Sequence, residues 1–178
     1  LGAIDRPTKG RIFLHDEELS VLSDEALALI RRKKIGFIFQ DFNLIPRLSA
    51  WENVAYPLIP IIYNEKERKE RAVALLERLG LGKRINHTPE EMSGGEQQRV
   101  SIARALVNNP EILIADEPSS NIDAKAIENL ISILTDLREK GMTIIISTHD
   151  SVFYPHADIK INLKEGVLIN IEQRAQRS

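Results

Sequence analysis

The chain has 178 residues, of which 43% are hydrophobic and 28% charged, with no cysteine and a formal net charge of -2. This length fits one domain, or one domain with a subdomain, and the hydrophobic content excludes a low-complexity disordered chain. The lack of cysteine excludes a disulfide scaffold, and the near-neutral charge argues against nucleic acid as a partner. Because no apolar run approaches the roughly 20 residues that span a bilayer, the sequence predicts a soluble protein.

Local signals in the first forty residues predict a helix between two strands. Residues 1–4 resemble the last turn of a helix, and residues 11–14 a short strand. Ser23 is placed to cap a helix with an acidic first turn and a basic last turn, residues 31–34, which suits the helix dipole. The apolar run 35–39 is typical of a strand buried on both faces.

The middle of the chain has a different composition. Residues 41–60 contain three prolines and the only tryptophan, and we expect an irregular segment there. A highly charged helix is predicted from Asn64, with one apolar stripe and an end at Gly80. The apolar and aromatic side chains of residues 41–63 fit two alternatives equally, subdomain core or contact with a partner protein. Residues 42–48 are the better candidates for partner contact.

The second half of the chain alternates helices and strands and ends in a hairpin. The predicted elements are a helix through 100–106, a strand at 111–115, a helix through 127–137, a strand at 143–147 and a hairpin of strands 159–163 and 167–171. Buried strands that alternate with amphipathic helices predict an α/β fold with a parallel sheet covered on both sides. The charged end of the chain after Glu172 is expected to be frayed.

Polar residues follow three of the predicted buried strands. Gln40 follows the first, Asp116 and Glu117 the second, and His149 the third. Taken singly, each fits an ordinary role in a loop, a turn or a structural hydrogen bond. Together they converge on the edge of a parallel sheet where α/β proteins bind their ligands. There a strand-end aspartate suits Mg²⁺, and a neighbouring carboxylate can polarise an attacking water.

The segment SGGEQQ, residues 93–98, is a second candidate site with two interpretations. Ser93 and Glu96 have the spacing of a capping box, which begins many helices. The glycine pair Gly94 and Gly95 would also let backbone N–H groups approach an anion at a helix N-terminus. The segment is therefore a candidate phosphate clamp as well as a cap.

Five elements in this order resemble the nucleotide-binding domain of ATP-binding cassette (ABC) transporters over essentially the whole chain. They are Gln40, SGGEQQ at 93–98, ILIADEP at 112–118, SSNID at 119–123, and His149. The resemblance implies a P-loop NTPase-type parallel sheet flanked by helices, with a helical subdomain at about 41–105. Residues 1–40 and 106–178 would form the remainder of the α/β core.

The resemblance also implies a role for each matching residue. Nucleotide contacts would come from Gln40, Ser93, Gly94, Gly95, Glu96, Gln97 and Asp123; Mg²⁺ contacts from Asp116 and Gln40; and catalysis from Glu117 and His149. Residues 35–54 further resemble the branch of lipoprotein-release, macrolide-export and cell-division ATPases. Trp51 and Met92 depart mildly from that branch.

As a member of this family, the protein would bind ATP and Mg²⁺ and hydrolyse ATP to drive an integral-membrane permease. It would pair head to tail with a second ATPase subunit, most simply a copy of itself. It would lie in the cytoplasm, peripheral on the inner face of the cell membrane. The alternatives are a soluble ABC ATPase without a transport role, or a fragment that binds a partner without hydrolysing ATP.

The sequence contains no G-x-x-x-x-G-K-[ST] motif, the loop that cradles nucleotide phosphates. The resemblance implies that this loop and the opening strands would precede Leu1. We therefore expect the chain to be the C-terminal portion of a complete domain, and to bind and hydrolyse ATP poorly without the missing loop.

Overall fold

The structure, a computed structural model, describes residues 2–174. Its strands are β1 (Phe13–Leu14), β2 (Glu17–Glu18), β3 (Ile35–Ile38), β4 (Ile112–Asp116), β5 (Thr143–Ser147), β6 (Ile159–Lys164) and β7 (Val167–Gln173). Its α-helices are α1 (Asp24–Lys34), α2 (Ala50–Ala55), α3 (Glu65–Arg78), α4 (Gly94–Leu106) and α5 (Ala124–Glu139). Short 3₁₀ helices lie at Leu19–Val21, Tyr56–Leu58, Pro89–Glu91 and Ser151–His156.

A parallel sheet in the order β3-β4-β5 is the centre of the fold. Ile38 pairs with Ala115, and Asp116 pairs with Ser147, so the three strands end at the same edge. This arrangement confirms the predicted α/β fold with a parallel sheet flanked by helices.

The predicted helices form where local signals place them. The Oγ of Ser23 accepts a hydrogen bond from the Ala26 N–H and caps α1. Asn64 caps α3 in the same way, and Asp123 caps α5. Since each cap satisfies N–H groups that have no partner inside the helix, these residues fix where the helices begin.

Two predictions about local structure were wrong. Residues 2–4 are not helical, since a bend covers residues 3–5, and Ala3 is left-handed at φ +54° while its carbonyl accepts a hydrogen bond from Arg31. The segment predicted to be irregular contains α2, because Ser49 and Glu52 form a capping box there. The proline at 57 lies in the first turn of the following 3₁₀ helix, where its missing N–H costs nothing.

β5 differs from the predicted buried strand. Its end residues are exposed and its three isoleucines only half-buried, because within residues 2–174 it pairs on one side alone, with β4. A cavity of about 460 Å³ is lined by residues of β5, β6 and α5. The β6–β7 hairpin forms as predicted and exposes a row of apolar side chains, among them Ile161, Leu163 and Val167.

The end of the chain is described only in part. β7 continues to Gln173, so the first residue after Glu172, where the frayed end was predicted to begin, belongs to a strand. Residues 175–178, on which the rest of that prediction falls, lie outside the described residues.

Helix α4 carries residues of two hydrophobic clusters and connects them. Val100 and Ala103 pack with residues of α2 and α3, while Ile102 and Ala105 pack with the sheet and α5. The start of α4 is therefore held in place relative to the end of β4, which positions the SGGEQQ segment against the rest of the site.

Candidate functional site at the carboxyl edge of the sheet

Asp116 and Glu117 lie where β4 ends. Asp116 is exposed and still in register with Ser147. Glu117 donates its N–H to the Ser147 carbonyl at 2.8 Å but has a left-handed backbone with φ +42°. Such a conformation is uncommon outside glycine, and it turns the chain off the sheet directly after the acidic pair.

The Glu117 carboxylate is held by the two residues that follow β5. Thr148 Oγ1 donates to its Oε2 at 3.1 Å, and the His149 N–H donates to its Oε1 at 3.2 Å. His149 Nδ1 lies 2.9 Å from the same Oε1. The His149 side chain is 86% exposed and that of Glu117 is 22% exposed, so the pair faces solvent through its imidazole.

These contacts move both pKa values. Partial burial raises the pKa of Glu117, but hydrogen bonds from His149 and Thr148 outweigh burial and lower it below its ordinary 4.5. The hydrogen bond and charge of Glu117 raise the pKa of His149 above its ordinary 6.5. At neutral pH the carboxylate is therefore ionised and able to accept a proton.

Gln40 reaches the same edge from β3. It lies two residues after Ile38, is exposed, and accepts a hydrogen bond from Asn121 Nδ2 on its backbone carbonyl at 2.9 Å. The structure therefore brings together the four residues that follow the predicted strands, namely Gln40, Asp116, Glu117 and His149. Within residues 2–174, only Glu117 and His149 of these four bond to each other directly through their side chains.

Ser93 begins α4 with the capping box that the sequence allowed as one alternative. Its Oγ accepts from the Glu96 N–H at 3.3 Å, and its own N–H donates to Glu96 Oε2 at 2.9 Å. Arg84 Nε donates to the other oxygen of Glu96 at 2.8 Å, and Gln97 Nε2 donates to the Met92 carbonyl. Ser93 remains exposed, so capping does not remove it from contact with a ligand.

The glycine pair packs against the segment that follows the acidic pair. A Cβ at Gly94 would lie 2.8 Å from the Asn121 carbonyl oxygen, and one at Gly95 would lie 2.8 Å from the Ala126 Cβ. Real Cβ contacts are not that short. The two glycines are therefore needed for close packing in this chain, a reason that the sequence analysis did not include.

The residues that shape the loop after Gln40 were not predicted from the sequence. Phe42 and Asn43 have left-handed backbones, and Arg104 donates to both of their carbonyls, at 2.6 Å for Phe42. Asn53 is fully buried; its Oδ1 accepts from the Ile45 N–H at 2.7 Å, and its Nδ2 donates to the Ile45, Leu48 and Ser49 carbonyls. The sequence signal that could have identified Asn53 is a polar residue between two apolar residues on the buried face of α2.

The aromatic residues after Gln40 divide between core and surface. Phe42 is buried and Trp51 packs against the helical cluster, whereas Tyr56 is 53% exposed. Tyr56 lines a cavity of about 720 Å³, and Arg31 and Arg104 line the same cavity. Phe42 is therefore core, whereas Asn43, Pro46 and Arg47 of the same loop are exposed, so contact of residues 42–48 with a partner stays a prediction.

The residues at the sheet edge fit Mg²⁺ only together with a phosphate-bearing ligand. Within the described part of the chain, no group of three or more His, Cys, Asp or Glu side chains could hold a metal ion. Asp116 and Gln40 supply a carboxylate and an amide oxygen, and Mg²⁺ is commonly held by one or two carboxylates plus phosphate oxygens and water. These two side chains alone would therefore be an incomplete Mg²⁺ site, which phosphate oxygens and water would have to complete.

Comparison with known proteins places these features in context. Residues 1–120 match the family model described as "ABC transporter". The chain is 45% identical to an uncharacterized ABC transporter ATP-binding protein of Thermotoga maritima over 98% of its length and 74% of the relative's. It is 45% identical to the macrolide export ATP-binding/permease protein MacB of Bdellovibrio bacteriovorus, over 97% of its length but only 26% of that protein.

Solved structures show the same relationship. A dimeric post-hydrolysis state of the ATP-binding cassette MJ0796, bound to ADP and Pi, has a TM-score of 0.88 and 41% identity, covering 98% of this chain and 78% of that one. CbiO1 of Clostridium perfringens, part of the ABC transporter complex CbiONQ, has a TM-score of 0.84 and 28% identity, covering 97% and 69%. No helix within residues 2–174 is long and apolar enough to cross a membrane.

Proposed function

The chain belongs to the ABC transporter family, and we propose that it forms the catalytic edge of an ATP-hydrolysing subunit that drives a membrane permease. The observation that carries the proposal is the Glu117 carboxylate, which is ionised and held by Thr148 and His149 beside the exposed Asp116. An ionised carboxylate fixed by neighbouring donors can accept a proton from an attacking water.

Each residue at the edge has a distinct role in this proposal. Asp116 and the Gln40 amide oxygen would hold Mg²⁺, which supplies charge neutralisation of the phosphates when it is bound. Glu117 accepts the proton of the water. His149 fixes the orientation of Glu117 and, through its exposed imidazole, donates to the terminal phosphate.

The SGGEQQ segment serves a second subunit. Ser93 is exposed at the start of α4, where the helix dipole favours an anion. Gly94, Gly95, Glu96 and Gln97 shape this helix start, and Asp123 shapes the neighbouring start of α5. The dimeric state of the similar cassette MJ0796, bound to ADP and Pi, supports pairing of two subunits. In our proposal the pair is head to tail, and this surface faces the partner's ATP.

The permease contact in our proposal is the cavity bordered by Tyr56. It joins the helical part of the chain to β3, the strand that leads to Gln40, so a partner seated there would act on the loop that holds the metal ligand. The cations Arg31, Arg32 and Arg104 favour an acidic, partly apolar partner segment. The relatives named as export ATP-binding/permease proteins support transport over the non-transport alternatives. With a permease as its partner, the chain would be peripheral on the cytoplasmic face of the membrane.

ATP hydrolysis tests the proposal directly. We propose that the chain alone binds ATP weakly, because phosphate binding in P-loop proteins depends on a motif that these 178 residues do not contain. The assay therefore compares the chain with a P-loop fusion, in which the P-loop segment of a relative is joined before Leu1 and ATP binding is verified first. Hydrolysis by the fusion and none by the chain is expected; a fusion that binds ATP without hydrolysing it would contradict the proposal.

Copurification tests the transport part. The protein, expressed from its own gene together with the neighbouring genes, is expected to purify with an integral-membrane permease in detergent. Arg32→Glu, in the cavity, should weaken this association, whereas Arg78→Glu, at the end of α3, should not. Equal association of both variants would contradict docking at the cavity.

A further inference from the structure

Asn121 contacts two parts of the site that approach it from different elements. Its Nδ2 lies 2.9 Å from the Gln40 carbonyl and 3.1 Å from Asp41 Oδ1. Asn121 is itself exposed and is four residues after Glu117, on the segment that leads from β4 to α5. One side-chain amide thus connects the residue that follows β3 with the segment that carries the acidic pair.

The backbone of Asn121 packs closely against the start of α4. Its carbonyl oxygen lies so close to Gly94 that a Cβ there would approach it to 2.8 Å. One turn further along α4, Gln98 is 2% exposed and donates Nε2 to the Pro118 carbonyl at 3.1 Å. A movement of the α4 start would therefore displace Asn121 together with Pro118, which directly follows Glu117.

The Gln40 loop depends on such side-chain contacts for its shape. Phe42 and Asn43 are left-handed, which costs free energy for residues other than glycine and is maintained only by the surroundings. Arg104 holds the far side of this loop, and Asn121 holds its near side at Gln40. Loss of the Asn121 amide would release the loop where the metal ligand is attached.

We propose that Asn121 is a positioning residue, which holds Gln40 in place beside Asp116 and Glu117. Through Asn121, the position of Gln40 depends on the position of the α4 start. The inference rests on the proposed function, in which Gln40 binds the metal of one subunit's ATP and the α4 start contacts the ATP of the other.

The structural part of the inference can be tested on the chain itself. Asn121→Ala should raise amide hydrogen exchange at Phe42 and Asn43 by roughly tenfold, since the loop loses its near-side contact. Exchange in β4 and α5 should not change. The matched control is Asn170→Ala on the hairpin, whose side chain bonds only to Asn162 and Glu172 among the described residues. Unchanged exchange at the loop would overturn the inference without affecting the proposed function.

The functional part needs the P-loop fusion. Asn121→Ala should lower kcat by roughly 10- to 100-fold and raise the Mg²⁺ concentration for half-maximal activity, because a displaced metal ligand mainly affects the reacting geometry. The KM for ATP should change by less than about threefold, because Gln40 is only one of its contacts. A KM change with normal kcat and normal Mg²⁺ dependence would indicate a merely structural role and overturn the inference.

Exchanging Asn and Asp between positions 121 and 41 distinguishes the effects of the two hydrogen bonds that the Asn121 amide makes. Asn121→Asp places a carboxylate against Asp41 and removes the donor to the Gln40 carbonyl. Adding Asp41→Asn restores a donor and acceptor between these two side chains but not the bond to Gln40. The double variant should remain slow in the fusion; recovery to the wild-type rate would show that Gln40 is not what Asn121 positions. An inactive wild-type fusion that binds ATP would instead contradict the proposed function.

Discussion

His149 donates its backbone N–H to Glu117 Oε1 at 3.2 Å, and its Nδ1 lies 2.9 Å from the same oxygen. Glu117 follows the middle strand of the sheet and His149 follows the next strand, so this contact links the ends of β4 and β5 at the carboxyl edge. Because one residue supplies both groups, any shift of the loop after β5 changes the position and the pKa of the carboxylate together.

The Glu117–His149 pair predicts how the imidazole titrates. In the chain, the His149 pKa should lie above 6.5, and in Glu117→Gln it should return toward that value, with a remaining upward effect from Asp150. NMR of the imidazole protons measures this directly. Equal titration in both proteins would contradict the ion pair.

The same pair predicts the pH dependence of stability. The raised pKa of His149 gives a contribution that is complete below pH 6.5 and is lost as the pH rises through the folded-state pKa. The lowered pKa of Glu117 gives one that is complete above pH 4.5 and is lost as the pH falls through its own folded-state value. Urea unfolding of wild type and Glu117→Gln should therefore differ most between pH 4.5 and 6.5.

Glu117→Gln should abolish turnover in the P-loop fusion while ATP binding persists. The amide keeps the size of the side chain and its acceptor oxygen but cannot take a proton, so hydrolysis should fall by roughly 10²- to 10⁴-fold. With hydrolysis blocked, ATP should hold the closed dimer, which sedimentation measures. Hydrolysis by the variant at the wild-type rate would reject Glu117 as the base.

Ser93→Arg should impair ATP-driven dimerisation of the fusion. The larger side chain would occupy the exposed start of α4, where we place the partner's phosphates. Ser93→Ala is the control for capping, because it removes the hydrogen bond to Glu96 at about 1 kcal/mol without adding bulk. A dimer population equal to wild type in the arginine variant would count against the clamp.

The close packing at Gly95 predicts a specific rescue. Gly95→Ala should destabilise the chain because its Cβ would meet the Ala126 Cβ at 2.8 Å, and such overpacking costs about 1–3 kcal/mol. Adding Ala126→Gly removes the clashing atom. The double variant should be more stable than the sum of the single changes by about 1–2 kcal/mol, measured by urea unfolding. Additive effects would contradict the contact.

Asn53→Ala should destabilise the loop after Gln40. The fully buried side chain makes four hydrogen bonds to that loop and to α2, and their loss leaves unpaired backbone groups. We expect a loss of about 2–4 kcal/mol in the free energy of unfolding. The exposed Asn170→Ala serves as the comparison and should remain within about 0.5 kcal/mol of wild type.

The sequence predicts the parts of this structure that depend on local signals. Caps at Ser23 and Ser93 and the buried runs before Gln40 and Asp116 specify the helices and the parallel sheet, and the strand ends bring the site residues to one edge. It does not predict α2, because a proline-rich composition obscures the short capping box at Ser49. The roles of Asn53 and Asn121 were also missed, since their hydrogen bonds join residues 4 to 81 positions apart.

The cavity beside β5 has a practical consequence for handling the chain. Among residues 2–174, β5 pairs only with β4, and the hairpin that shares the cavity lining exposes Ile161, Leu163 and Val167. An open strand edge next to exposed apolar side chains is a template for intermolecular pairing. We therefore expect the isolated chain to self-associate with rising concentration, and a lysine placed at Ile145, in the middle of that edge strand, to delay the onset of turbidity.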